Sequence, residues 1–137
     1  GDSDLDKGIA AFQGQQWAVA EEHLKKAAGD DNNVAAQLYL ARVYRSTKQF
    51  DPAAAVLRTP ANNFPNDVDV QRELGKLFLD LQQPAQAVKY LKRAQEQEPD
   101  DRATWIWLIR ALRATGDPSA EETVEKAPAE VRAMLAK

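Results

Sequence analysis

One period runs through the whole chain: positions 33 or 34 residues apart carry side chains of the same kind. Gly8 precedes Ala11 and Phe12, Ala41 precedes Tyr44, Gly75 precedes Phe78, and Ile109 precedes Leu112. Trp17, Phe50, Pro84 and Pro118 keep the same beat, followed by Ala20, Ala53 and Ala87, then by Leu24, Leu57 and Leu91. Ala27 and Ala94, and the prolines Pro65 and Pro99, repeat it again. Independent positions sharing one period describe stacked helix–turn–helix units, none of which can bury its apolar face alone.

Helix signals agree with that reading. Ala and Gln are abundant and β-branched residues sparse, which favours helix over strand. Helices are expected over about 3–13, 17–28, 34–46, 51–58, 68–81, 84–97, 102–114, 118–126 and 129–136. Asp51-Pro52 and Asp117-Pro118 each read as a capping carboxylate before a proline at the first helical position, and Gly116 suits the turn before the second.

These residues resemble the tetratricopeptide repeat family. The third unit matches best, with Leu74-Gly75, Phe78, Ala87, Tyr90-Leu91, Ala94 and Pro99 at the motif's positions. The resemblance implies an all-α, right-handed superhelical solenoid of antiparallel helix pairs with a concave groove. It divides 1–137, as a single array, into repeats at about 1–33, 34–67, 68–101 and 102–127, with a capping helix at about 128–137. Pro60 stands where the second unit needs a small closing residue, so that helix is expected to end near Arg58, with Asn62-Asn63-Phe64 as loop. Ile109 replaces the usual small residue of the fourth unit. Its second helix comes into phase, at Ala120, Val124 and Ala127, only with one residue removed. That unit is degenerate, and the helix from Ala129 reads as the polar cap an array needs.

Composition excludes several functions. A net charge of -3 does not suit a general polyanion binder, and no nucleic-acid partner is expected. No apolar run exceeds five residues, so direct membrane insertion is not expected either. No secretory signal is visible before Gly1-Asp2-Ser3, an opening that fits a mature form or a shortened chain. With no cysteine there is no disulfide, no thiolate nucleophile and no Cys-based zinc site. The single histidine, His23, lies among Glu21, Glu22 and Lys25 and reads as solvated. Ser3, Ser46 and Ser119 lie outside any nucleophile elbow. Asp30-Asp31 and Asp100-Asp101 sit at unit junctions, where turns and caps explain them. No catalytic residue, cofactor site or metal site is expected.

The first helix of each unit carries the remaining signal. Side chains at i, i+4 and i+7 share a face. One face reads Leu5, Ile9, Phe12; Leu38, Arg42, Arg45; Arg72, Lys76, Leu79; Ile106, Arg110, Arg113. The recurring small and apolar residues occupy the opposite, packing face. In the family this stripe lines the groove, which the resemblance makes apolar at its start and basic further on. The expected partner-binding residues are Leu5, Ile9, Phe12, Leu38, Tyr39, Arg42, Arg45, Lys76, Leu79, Trp107, Arg110 and Arg113. Solvation of an ordinary charged face is the bland alternative for the cations. Leu5, Ile9 and Phe12 could instead pack on another copy or on a preceding segment. Cochaperones of the family grip a carboxylate tail with Lys and Asn at set places. Here Leu5, Ile9, Tyr39, Asp69 and Glu73 stand there, so no such clamp is expected. Trp105 is expected in the core; Trp107 points to the groove or to the final helix.

The sequence thus describes a non-catalytic scaffold holding a protein or peptide partner, acidic or amphipathic, in a partly basic groove. The alternative is a structural module that self-assembles, as a homo-oligomer, through the same apolar face. Richness in Ala and Gln without cysteine looks bacterial, in periplasm or cytoplasm, the periplasm before the cytoplasm.

Overall fold

The computed structural model describes residues 2–136. Among the described residues it is all helix: α1 (Asp2–Gln13), α2 (Trp17–Ala28), α3 (Val34–Ser46), α4 (Phe50–Asn63), α5 (Val68–Asp80), α6 (Pro84–Gln97), α7 (Arg102–Thr115), α8 (Ser119–Lys126) and α9 (Ala129–Leu135). They form two compact units, Gly1–Asn66 and Asp67–Lys137. In the first, α1 packs on α2, α2 on α3, and α3 on α4. In the second, α5 packs on α6, α6 on α7, and α7 on both α8 and α9.

Two devices set the period locally. The first helix of a unit opens on a side-chain cap. Asn33 accepts the Ala36 N–H at 3.1 Å, Asp67 accepts Asp69 and Val70 N–H at 2.9 and 3.1 Å, and Asp101 accepts Thr104 N–H at 3.2 Å. It closes on a left-handed residue: Gln15 (φ 58°), Lys48 (φ 61°), Gln82 (φ 59°) and Gly116 (φ 71°). The next N–H then reaches back over the turn, from Gln16 to Ala11 O (2.8 Å), Gln49 to Tyr44 O (2.7 Å), Gln83 to Phe78 O (2.8 Å) and Asp117 to Leu112 O (3.1 Å). This is the Schellman closure, made here three times out of four without glycine.

Packing within a hairpin depends on one close approach. A Cβ on Gly8 would lie 2.6 Å from Leu24 Cγ, and one on Gly75 would overlap Leu91 Cγ. Ala41 and Leu57, both fully buried, hold the same places in the second repeat. In the fourth, Ile109 cannot admit such an approach. It packs instead with Trp105, Ala127 and Val131, which brings α9 against α7, while α8 has only eight residues.

Three helix-start and helix-end expectations need correction. α4 does not stop near Arg58; it runs to Asn63 with Pro60 inside it. Proline removes the N–H that would have reached Val56 O and its ring crowds that carbonyl, which can kink a helix without ending it. Its ring is buried, and its own carbonyl still accepts the Phe64 N–H at 2.8 Å, so the last turn survives. Asp51 does not cap α4, because the helix starts one residue earlier at Phe50; the cap residue is Gln49, whose side chain bonds no backbone there. Asp117 lies one residue before the cap residue of α8, Pro118; its carboxylate accepts Ser119 N–H at 2.8 Å, and that bond holds the carboxyl below the usual aspartate range.

Gly75→Val should therefore lower the stability of the chain by about 1–3 kcal/mol, because Leu91 has to move. Lys48→Gly should raise it by about 1 kcal/mol by relieving a left-handed side chain. Thermal melts followed by circular dichroism read both, and an unchanged melt for Gly75→Val would refute the close approach.

Candidate functional site

In the first unit, α1 and α3 bring an aromatic row together. Phe12 meets Trp17 edge to face at 5.5 Å and Tyr39 likewise at 5.5 Å. The Arg42 guanidinium then lies over the Tyr39 ring, 4.9 Å from its centre. Phe12 ends α1 and Trp17 opens α2, so the α1–α2 turn itself places the start of the row. Helical spacing does the rest, since Tyr39 and Arg42 are three residues apart on α3. Leu5, Ile9, Phe12, Tyr39, Arg42 and Arg45 are all half-buried. Leu38 is a correction: it is only 6% exposed and belongs to the core, not to an open apolar face.

In the second unit, α5 and α7 build a related patch. Trp107 is half-buried and packs against a core of Ala87, Leu91, Leu108, Ala111, Leu112 and Ala120, together with Leu79 and Phe78. Two cations lie over its ring, Lys76 at 5.7 Å and the exposed Arg110 at 5.3 Å. Trp107 thus faces this stripe, and it is Trp105 that meets the final helix, its indole N–H donating to Pro99 O at 2.6 Å. Arg113 is set apart from its expected place among the stripe's cations: it bonds Glu121 of α8 through two nitrogens, at 3.0 and 3.3 Å.

Other charged groups are structural. Arg72, on the same stripe, bonds Thr104 Oγ1 (2.8 Å), Asp69 (2.8 Å) and Glu98 (2.9 Å), and lies 3.3 Å from Asp101. It ties the start of α5 to the α6–α7 junction. Its charged form loses something to burial, and the three carboxylates more than restore it. Sequence spacing offers Asp69 three residues away, but not the partners at Glu98, Asp101 and Thr104. Glu73, expected beside the stripe, is buried at 1% exposure. His23 is not solvated as expected: its Nδ1 pairs with Asp4 Oδ1 at 3.0 Å across α1 and α2, and the bond holds the Asp4 carboxyl below its ordinary value. Among the described residues no group of acids and histidine could hold a metal ion, and no helix is long and apolar enough to cross a membrane.

Two family models of the tetratricopeptide repeat match, over residues 11–77 and 68–111. No curated protein sequence matches. Among solved structures the chain is similar to MamA from strain AMB-1, at 25% identity and TM-score 0.77 over 90% of this chain and 74% of that one. It is similar to residues 41 to the end of MamA from Desulfovibrio magneticus RS-1, at 20% identity and TM-score 0.81 over 91% and 72%. A thermophilic TPR protein of Thermus thermophilus, TTC0263, aligns at 17% identity and TM-score 0.77 over 90% and 71%. These are likenesses of fold.

Tyr44 supplies a pH test of the packing face behind this site. Burial first, and then the Glu21 carboxylate it bonds at 3.3 Å, push its phenol above the ordinary value of 10.0. A raised folded value means that this stability is fully present below pH 10.0 and is lost as pH rises through the folded value. Denaturant melts of the native chain should weaken above that pH, and Tyr44→Phe should remove this part of the loss.

Proposed function

The chain belongs to the tetratricopeptide repeat family, and on that premise we propose that it is a non-catalytic scaffold that holds an acidic, amphipathic segment of a protein partner. Proteins of this family are in general non-catalytic scaffolds for protein interaction. One observation carries the finer reading. Tyr39 with Arg42 and Trp107 with Arg110 are the same pair, an aromatic residue with a cation lying over it, 68 residues apart and at the same place on a first helix of each unit.

Such a pair offers two things side by side. The ring is a rigid apolar surface, and the guanidinium over it keeps N–H donors in a fixed plane for a carboxylate. Ordering Arg against a ring beforehand lowers the entropy lost when a partner arrives. A partner helix with an acid beside a large apolar residue fits: the acid meets Arg110 and the apolar side chain lies against Trp107 and Leu79. Phe12, Tyr39 and Arg42 offer the counterpart in the first unit. Self-assembly through the same face has less to work with, since Leu38, expected on that face, is buried.

The test is fluorescence anisotropy with labelled helix-forming peptides carrying Glu and Leu four residues apart, against versions with Lys for Glu. The acidic peptides should bind, and binding should weaken with added salt, because exposed charges are screened beyond about 8 Å at physiological ionic strength. Arg42→Glu with Arg110→Glu should weaken binding at least about tenfold at unchanged helical content, the expected loss for charge-assisted hydrogen bonds. Unchanged binding by that double variant would sink the proposal.

A further inference from the structure

On the side of α3 away from Tyr39 and Arg42, the first unit holds a cavity of about 280 Å³ between α2, α3 and α4. Leu40, Val56, Ala28 and Ala55 give it apolar walls, and Gln37, Thr59 and Lys25 are its polar members. Gln37 is 2% exposed. Its amide nitrogen donates to Asp30 O (3.3 Å) and Asp31 O (3.2 Å), which fixes the orientation of the group, while its Oε1 is buried and accepts no hydrogen bond. A buried carbonyl oxygen without a donor costs free energy, so an unpaired one in a native fold calls for a reason.

The repeat itself shows what this oxygen accepts when it is satisfied. One period on, Gln71 occupies the same place, and its Oε1 accepts the Gln97 side-chain N–H at 2.8 Å. One period further, Trp105 keeps the donor, bonding Pro99 O, and has no acceptor to satisfy. In the second repeat the place of Gln97 falls to Asn63, a methylene shorter and exposed at the end of α4. The same fold therefore pairs this oxygen with a carboxamide N–H in one repeat and leaves it without a donor in another, where Gln37 itself lines a cavity.

We propose that the α2–α3–α4 cavity is a binding site for one carboxamide side chain, a Gln or Asn of a partner protein. The carboxamide N–H replaces the donor that Gln97 supplies to Gln71, and its oxygen accepts from the Thr59 hydroxyl, which makes no hydrogen bond among the described residues. The cavity lies at the small end of ligand pockets, which begin at about 300 Å³, and a single side chain fits within it. Lys25 at the rim disfavours an ammonium or guanidinium as the donor.

The experiment titrates N-acetyl-glutamine methylamide into the full chain and follows amide and methyl shifts by NMR. The γ-methyl ester of N-acetyl-glutamate methylamide, which keeps an uncharged side-chain carbonyl but has no side-chain N–H beside Lys25, is the control. Saturable shifts confined to Gln37, Leu40, Val56 and Thr59 are expected, with the ester at least about tenfold weaker for want of one hydrogen bond to a buried acceptor. Gln37→Met should abolish the shifts. Thr59→Val, which leaves the bonds of Gln37 to the α2–α3 loop intact, should weaken them. Absence of saturable shifts, or equal or tighter binding of the ester, overturns the proposal and leaves the reading of Tyr39 and Trp107 untouched.

Discussion

Everything in this chain depends on two helices coming close enough for a leucine to fill the space a side chain would have taken. Gly8 against Leu24 and Gly75 against Leu91 are the places where that approach is tightest. Contact this close brings many weak dispersion contacts into range at once, and it leaves no room for adjustment. It also decides which face of the first helix is spent on packing. The residues on the other side, Phe12, Tyr39 and Arg42 in one unit and Lys76, Trp107 and Arg110 in the other, are left outside that close contact, and the proposed site rests on them.

Where the approach is lost, at Ile109, the architecture changes. Ile109 fills the space that glycine or alanine leaves open, and α7, while still packed on α8, takes α9 as a further neighbour, with Val131 and Ala127 packed on Ile109. The short α8 stays polar on its outer side and holds Arg113 through Glu121. The last repeat thus differs from the others both in its crossing point, at Ile109, and in a cation, Arg113, that is held by α8.

Much of this was legible in the sequence, because the period samples the same physics four times. Among the described residues, eight of the nine helices lie within two residues of expectation at both ends, and Gly8 and Gly75 are places of close approach. Apart from the one-residue shifts that displaced Asp51 and Asp117 from the caps of α4 and α8, the failures turned on burial or on partners that helical spacing does not show. Pro60 signals a helix end by its missing N–H, and only its burial explains why α4 goes on. Leu38 has the spacing of the stripe but lies in the core. His23 looks solvated among its helix neighbours, and its partner Asp4 is on another helix. For the candidate site, spacing supplied the residue types and the face. It could not supply the ring-and-cation pairs, which need rotamers, nor the bare oxygen of Gln37, which needs the shortfall of Asn63 against Gln97.

The left-handed turns have a consequence for how the chain reaches this structure. Gln15, Lys48, Gln82 and Gly116 each reverse the backbone within a few residues, using bonds that span five positions. A loop so short closes at little entropic cost, and the leucine that seals each of the first three hairpins lies only 16 residues from its small partner. The dominant contacts are thus local in sequence, and chains of low contact order fold in microseconds to milliseconds. Each hairpin is a candidate for early closure, and the strain kept at three non-glycine turns is a cost that the rest of the hairpin must outweigh every time it forms.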